Sequence, residues 1–255
     1  MSGLGFINPA GGLRYHLRAL RHSQALWQPF RWALGEWLLG WQPPETTLVL
    51  VGPSGGYNLQ PFLFERFQRV ICLEPDPVAR AIFARRLAKA PLDSKPKLEF
   101  LSDDHLLERP ERLVELLDGL GSACVLFSNV LGQLRALLEV ASSDAPALVR
   151  VREGVQKALV GRSWASFHDR VSGFARPSFD GVVLADARLT DEEVIAAAYD
   201  SSASATGSGN LELLDHLTDG FFPTNLSHAY FVWELSPGLF HLIEGVCSAR
   251  PNTTP

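Results

Sequence analysis

Apolar residues fall in two rhythms along this chain. Nearly unbroken apolar runs at 46–51, 69–74, 97–101, 122–128 and 163–167 predict buried strands. The segments near 59–67, 77–89, 105–118, 146–160 and 191–199 predict helices. Alternation of this kind predicts an α/β fold: a mostly parallel sheet flanked by helices on both faces. Right-handed crossovers then leave few topologies. Two regions depart from the rhythm. Residues 13–39 read as helical, as two helices meeting near Pro29, with Leu17, Leu20, Trp27, Trp32, Leu34, Trp37 and Leu38 as their apolar surface. Runs 229–235 and 239–246 are joined only by Ser236-Pro237-Gly238, too short for a crossover helix, so they predict an antiparallel hairpin. Residues 1–12 and the low-complexity stretch 201–210 read as loops. The expected organisation is an N-terminal helical cap over 1–45 and one domain over 46–255, with an insert at about 170–227.

Candidate chemistry begins in residues 48–74, LVLVGPSGGYNLQPFLFERFQRVICLE. A buried strand enters a glycine-rich turn (Gly52, Gly55, Gly56), a helix-like segment follows, and a second strand ends on Glu74. Nucleotide-type cofactors are often held this way. The turn allows close backbone approach, the helix N-terminus offers free N–H groups, and the acid accepts from ribose hydroxyls. Gly52 and Glu74 are 22 residues apart, against roughly 20 for such a unit. The competing reading of the turn is a tight connection without a ligand. For Glu74 it is a salt bridge or a helix-capping partner, although the nearby Asp76 is the better cap. Asp103 and Asp104 follow the third strand, and one of them caps the next helix. Ser128 and Asn129 end the fourth strand, where an Asx turn is the plainer use of the asparagine. His168-Asp169-Arg170 is expected just after the fifth strand. A histidine at that edge suits proton transfer near neutral pH, while its structural alternative is a backbone-bonded ring beside a local ion pair.

The whole-chain numbers narrow the classes. The chain has 255 residues, 46% hydrophobic and 20% charged, enough for one large core. A net charge of −5 argues against bulk electrostatic attraction to nucleic acid. Arg14, Arg18 and Arg21 share a helix face, read as solvated or as a local anion-binding patch. Cys72, Cys124 and Cys247 lie in apolar runs without CxxC spacing, which suits buried reduced thiols and a cytoplasmic setting rather than a zinc or disulfide framework. No metal-ligand spacing is visible, and no targeting segment or membrane span is read.

Taken with the terminal hairpin, Gly52-Pro53-Ser54-Gly55-Gly56, the acid of Leu73-Glu74-Pro75 and the post-strand run Phe127-Ser128-Asn129-Val130-Leu131-Gly132-Gln133, the chain resembles the class I S-adenosylmethionine-dependent methyltransferases over roughly 46–247. The glycine motif departs from the family's usual GxGxG, because Ser54 stands at the middle glycine. The resemblance implies a Rossmann-like methyltransferase fold and S-adenosylmethionine as cofactor. It implies cofactor contacts from Gly52, Ser54, Gly55, Gly56, Glu74, Asp103 or Asp104, and Ser128, with Asn129 facing the transferred methyl group and His168 near the cleft. The expected acceptor is a small molecule or protein. The alternatives are an RNA methyltransferase using the basic N-terminal helix and a non-catalytic binding protein on the same fold. The absent G-x-G-x-x-G and the terminal hairpin count against an NAD-dependent oxidoreductase.

Overall fold

The computed structural model describes residues 12–102, 109–199 and 212–250. Its sheet is centred on strands with almost nothing polar to expose. β1 (Thr47–Val51, TLVLV) and β4 (Cys124–Ser128, CVLFS) lie side by side and are buried almost throughout. β2 (Arg69–Leu73) and β3 (Lys97–Leu101) extend the parallel sheet beyond β1, and β5 (Trp164–Gly173) extends it beyond β4. Beyond β5 the sheet turns antiparallel. The full order, β3-β2-β1-β4-β5-β9-β8-β6, ends with β9 (Leu239–Ser248), β8 (His228–Ser236) and β6 (Val182–Ala185). β7 (Leu213–Asp215) pairs with the far end of β5. The expected hairpin forms through Pro237-Gly238, with Gly238 at φ 78°, and its later strand β9 lies next to β5.

Side chains alternate across the sheet with period two. Leu48 and Leu50 of β1 enter one core, with Phe64, Phe83 and the N-terminal helices α1 (Gly12–His22) and α2 (Gln28–Gly40). Val49 and Val51 enter the opposite core, beneath α4 (Glu111–Leu120) and α6 (Pro146–Leu159). α3 (Pro77–Lys89) starts on an Asp76 cap, whose carboxylate accepts from Val78 N at 2.8 Å. α5 is a single turn, Leu134–Leu137. α7 (Asp191–Ala198) opens on a Thr190/Glu193 capping box. Its Val194 and Ala198 pack with Tyr230 and Leu242 on the β8–β9 hairpin.

Four sequence expectations need correction. The segment expected as a helix at 59–67 forms only a short 3₁₀ helix, Pro61–Arg66. Pro61 sets its start and extended Phe67 its end, so no full helix follows the glycine turn. α1 buries His16 and Ala19 rather than Leu17 and Leu20, which are exposed, as is Trp32 of α2. β5 runs on through His168-Asp169-Arg170 to Gly173, because β9 and β7 pair with its second half and satisfy its backbone. Strands β6 and β7, both short, fall inside the expected insert at about 170–227, where no strand is expected. The three cysteines are free, and Cys72 and Cys124 are buried. No helix among the described residues is long and apolar enough to cross a membrane.

Candidate functional site

The carboxyl edges of β1, β2, β4 and β5 meet along one rim of the sheet. At β1, the chain leaves through Gly52 (φ 64°), Ser54 (φ 50°) and Gly56 (φ 67°). The turn closes with Gly52 N donating to Leu73 O at 3.0 Å and Gly56 N to Pro53 O at 2.9 Å. A Cβ on Gly56 would sit 2.2 Å from the Phe83 ring, and one on Gly55 would sit 2.5 Å from the Tyr57 ring. These glycines therefore let the turn lie flat on two aromatic rings. Ser54, at the family's middle-glycine position, takes a left-handed backbone that costs a non-glycine residue about 1–2 kcal/mol.

Glu74 closes the turn from β2. Its carboxylate accepts from Ser54 N at 2.8 Å and from Asp76 N at 3.0 Å. Two of roughly four lone-pair positions are thereby used. The side chain is buried, and burial raises its pKa despite the two backbone hydrogen bonds. A desolvated carboxylate with lone pairs to spare, at the carboxyl end of a central strand, fits a ribose diol. The free helix N-terminus expected beside it is absent, since the chain reaches Pro61 before it coils. α1 lies against this corner. His16 Nδ1 is 3.2 Å from the Tyr57 hydroxyl, and its Nε2 is 3.5 Å from Asp76. Tyr15 stacks on Trp27, and the Arg86 guanidinium lies over the Tyr57 ring. Arg14 and Arg21 are exposed.

This corner joins the other fold elements: a strand order 3-2-1-4-5 continued by an antiparallel hairpin whose second strand packs on β5. The chain has the class I S-adenosylmethionine-dependent methyltransferase fold. In this fold the rim that carries Gly52 and Glu74 continues to the ends of β4 and β5. No protein-family model matches the chain, and no curated protein matches it. Among solved structures, it is similar to N-methyltransferase NodS from Bradyrhizobium japonicum WM9 in complex with S-adenosyl-L-homocysteine. That likeness has 12% identity and a TM-score of 0.43, over 95% of this chain and 89% of that one. It is also similar to magnesium protoporphyrin IX methyltransferase (ChlM) from Synechocystis PCC 6803, at 12% identity and a TM-score of 0.42, over 93% and 86%.

At the end of this methyltransferase fold's fourth strand, Ser128 and Asn129 are buried. Asn129 adopts φ 58°, and its backbone N–H donates to Phe167 O at 2.9 Å. Its side chain is committed to β5: Oδ1 accepts from Asp169 N at 2.9 Å, and Nδ2 donates to Asp169 Oδ2 at 3.1 Å. The other Asp169 oxygen lies 2.9 Å from His241 Nδ1, on β9. Burial alone would raise the Asp169 carboxyl. The neighbouring charges and hydrogen bonds of His241, His216 and Asn129 outweigh it and hold the pKa at about 2. His216, just past β7, has Nδ1 2.7 Å from Gly132 O and Nε2 2.9 Å from Ser172 Oγ.

His168, the sequence candidate for proton transfer, points to the other side of β5. Its ring is 1% exposed, with Nδ1 3.0 Å from Ser166 Oγ and Nε2 3.8 Å from Glu244. Burial lowers its pKa to about 4, so it is neutral above that. It belongs to a buried charge cluster in which Glu244 also meets Arg170, His228 and Arg188. Asp103 and Asp104 lie outside the described residues. Sequence reasoning missed His216 and His241 entirely. They are far apart in the chain, and only the β5–β9 register and the turn after β7 bring them to Asp169.

Proposed function

We propose that this chain transfers a methyl group from S-adenosylmethionine to a polar acceptor held at the β4–β5 edge. The observation that carries the reading is the placement, on one rim, of a glycine turn with a buried carboxylate and of a second polar cluster around Asp169. The Gly52–Gly56 turn, Ser54 and Glu74 are the residues that would hold the cofactor, with Ser128 beside them. When bound, the cofactor supplies a methyl group already activated on a sulfonium, so the protein needs no redox chemistry. The chain's own task is to orient the acceptor, exclude water and manage one proton. Asp169 is suited to the first task, because a carboxylate whose pKa is held at about 2 orients a polar acceptor as a fixed charge rather than taking its proton. It is ionised, desolvated and held in place by Asn129 and His241. In this reading Asn129 positions Asp169 rather than touching the acceptor, and His168 is a packing residue.

The acceptor's class follows from the rim only as far as polarity. Small molecules and proteins fit a partly buried edge better than RNA, given the chain's net charge of −5. A non-catalytic reading draws support from Ser54 and from the commitment of both Glu74 oxygens to backbone N–H groups. The test is release of S-adenosylhomocysteine over panels of oxygen and nitrogen nucleophiles, peptides and RNA. Turnover with one panel, lowered at least tenfold in Asp169→Asn, supports the proposal. Absence of turnover with retained cofactor binding would favour the non-catalytic reading.

A further inference from the structure

Asp169, His216 and His241 come from three separate pieces of chain: β5, the residue after β7, and β9. One nitrogen of each histidine and one carboxylate oxygen all lie within 4.8 Å of one another. His216 and Asp169 are held from behind. Gly132 O can only accept, so the 2.7 Å contact fixes a proton on His216 Nδ1 and leaves Nε2 with a bare lone pair. That lone pair now meets the Ser172 hydroxyl, which can rotate away. Asp169 Oδ2 is fixed by the Asn129 amide, leaving Oδ1 toward His241 Nδ1. The backbone is pinned as well: His216 N donates to Arg170 O at 2.9 Å and Thr218 Oγ1 to Asp169 O at 3.3 Å. A ligating histidine whose other nitrogen donates to a carbonyl, beside a carboxylate held by an amide, is the outer-shell arrangement metal sites use.

We propose that Asp169, His216 and His241 form a binding site for a divalent transition-metal ion. Two imidazole nitrogens and one carboxylate oxygen suit Zn²⁺, Co²⁺ or Fe²⁺, whereas Mg²⁺ and Ca²⁺ prefer oxygen alone. On binding, the metal takes the place of the proton on His241 Nδ1, which moves to Nε2 or to solvent. Three protein ligands leave a coordination position open. His216 is the partly exposed member of the three. If the methyl-transfer reading holds, the open position takes an acceptor oxygen or nitrogen; the metal site itself does not depend on that reading.

The test titrates chelator-treated full-length protein with Co²⁺ and Zn²⁺, without any cofactor. The site predicts one equivalent of Co²⁺ with visible d–d bands, displaced by Zn²⁺. His216→Ala and His241→Gln abolish the bands, and Asn129→Ala weakens binding on the order of 10–100-fold. Melting without metal checks that each variant folds. Spin-echo modulation from Cu²⁺ on the unaltered chain supplies a readout without any variant, and two coordinated imidazoles are expected. Absence of saturable Co²⁺ binding, binding unchanged in His216→Ala, or fewer than two coordinated imidazoles would overturn the proposal. S-adenosylhomocysteine binding, measured separately, tests the other reading.

Discussion

At the scale of single residues, burial decides what each polar group can do. Glu74 is the acceptor for two backbone N–H groups. Glu74→Ala leaves both donors without a partner, which costs about 1–3 kcal/mol each where they are desolvated. The expected result is a lower melting temperature together with loss of cofactor affinity. Glu74→Gln keeps one acceptor and turns a donor toward the other N–H, so it should fall between. His168 gives a pH signature. Its folded-state pKa of about 4 lies below the ordinary value of 6.5. The neutral ring therefore contributes stability that is full above pH 6.5 and lost as pH falls through 4. Two and a half units correspond to roughly 3 kcal/mol. Denaturant titrations should show that loss between pH 6.5 and 4 in the natural chain, and His168→Gln should remove this part of it. Asp169 and Glu244, both depressed, are lost only at lower pH, below the ordinary carboxylate range. Glu74 and Asn129 were legible in the sequence because both end an apolar strand. His241 was not, since a histidine within an apolar run reads as core until the register sets it opposite Ser172 and beside Asp169.

Among elements, the glycine turn shows how packing and backbone requirements separate. Gly56→Ala meets both a left-handed φ and the Phe83 ring at 2.2 Å. Gly121, at φ 70° after α4, has nothing within 4 Å of an added Cβ. Gly121→Ala should carry a backbone penalty alone, with no steric contribution. Gly56→Ala should add about 1–3 kcal/mol of overpacking to its own backbone penalty, and calorimetry of the two variants should find it the more destabilised. Strands β1, β2 and β4 were legible because burial on both faces demands unbroken apolar runs, and the edge strand β3, KLEFL, because its apolar residues alternate with polar ones. β5 was read only to Phe167. Its second half, His168 to Gly173, is polar, and it is a strand because β9, β7 and the ion pairs of Arg170 with Glu244 and Asp191 complete it. A short 3₁₀ helix stands in place of the expected α-helix, bounded by Pro61 at its start and by extended Phe67 at its end.

Across the whole molecule, the N-terminal helices share a core with the sheet. Trp27 is fully buried, donates its indole N–H to Leu235 O at 3.0 Å and packs edge-on against Trp233. Trp27→Ala should cost about 3–5 kcal/mol, and helices and sheet should still melt in one transition followed by circular dichroism. The terminal hairpin was the whole-molecule feature most legible in the sequence, because three residues cannot span a parallel crossover. The placement of α1 over Tyr57 and Asp76 was not legible, since its buried face is His16 and Ala19 rather than its leucines. The proposed function requires the rim from the glycine turn to Asp169 to bind S-adenosylmethionine. Isothermal titration of the full chain with S-adenosylhomocysteine tests it most directly. The expected result is saturable binding near one equivalent, no binding of NAD, and loss of binding in folded Glu74→Ala. A folded natural chain that gives no heat with S-adenosylhomocysteine or S-adenosylmethionine would contradict it.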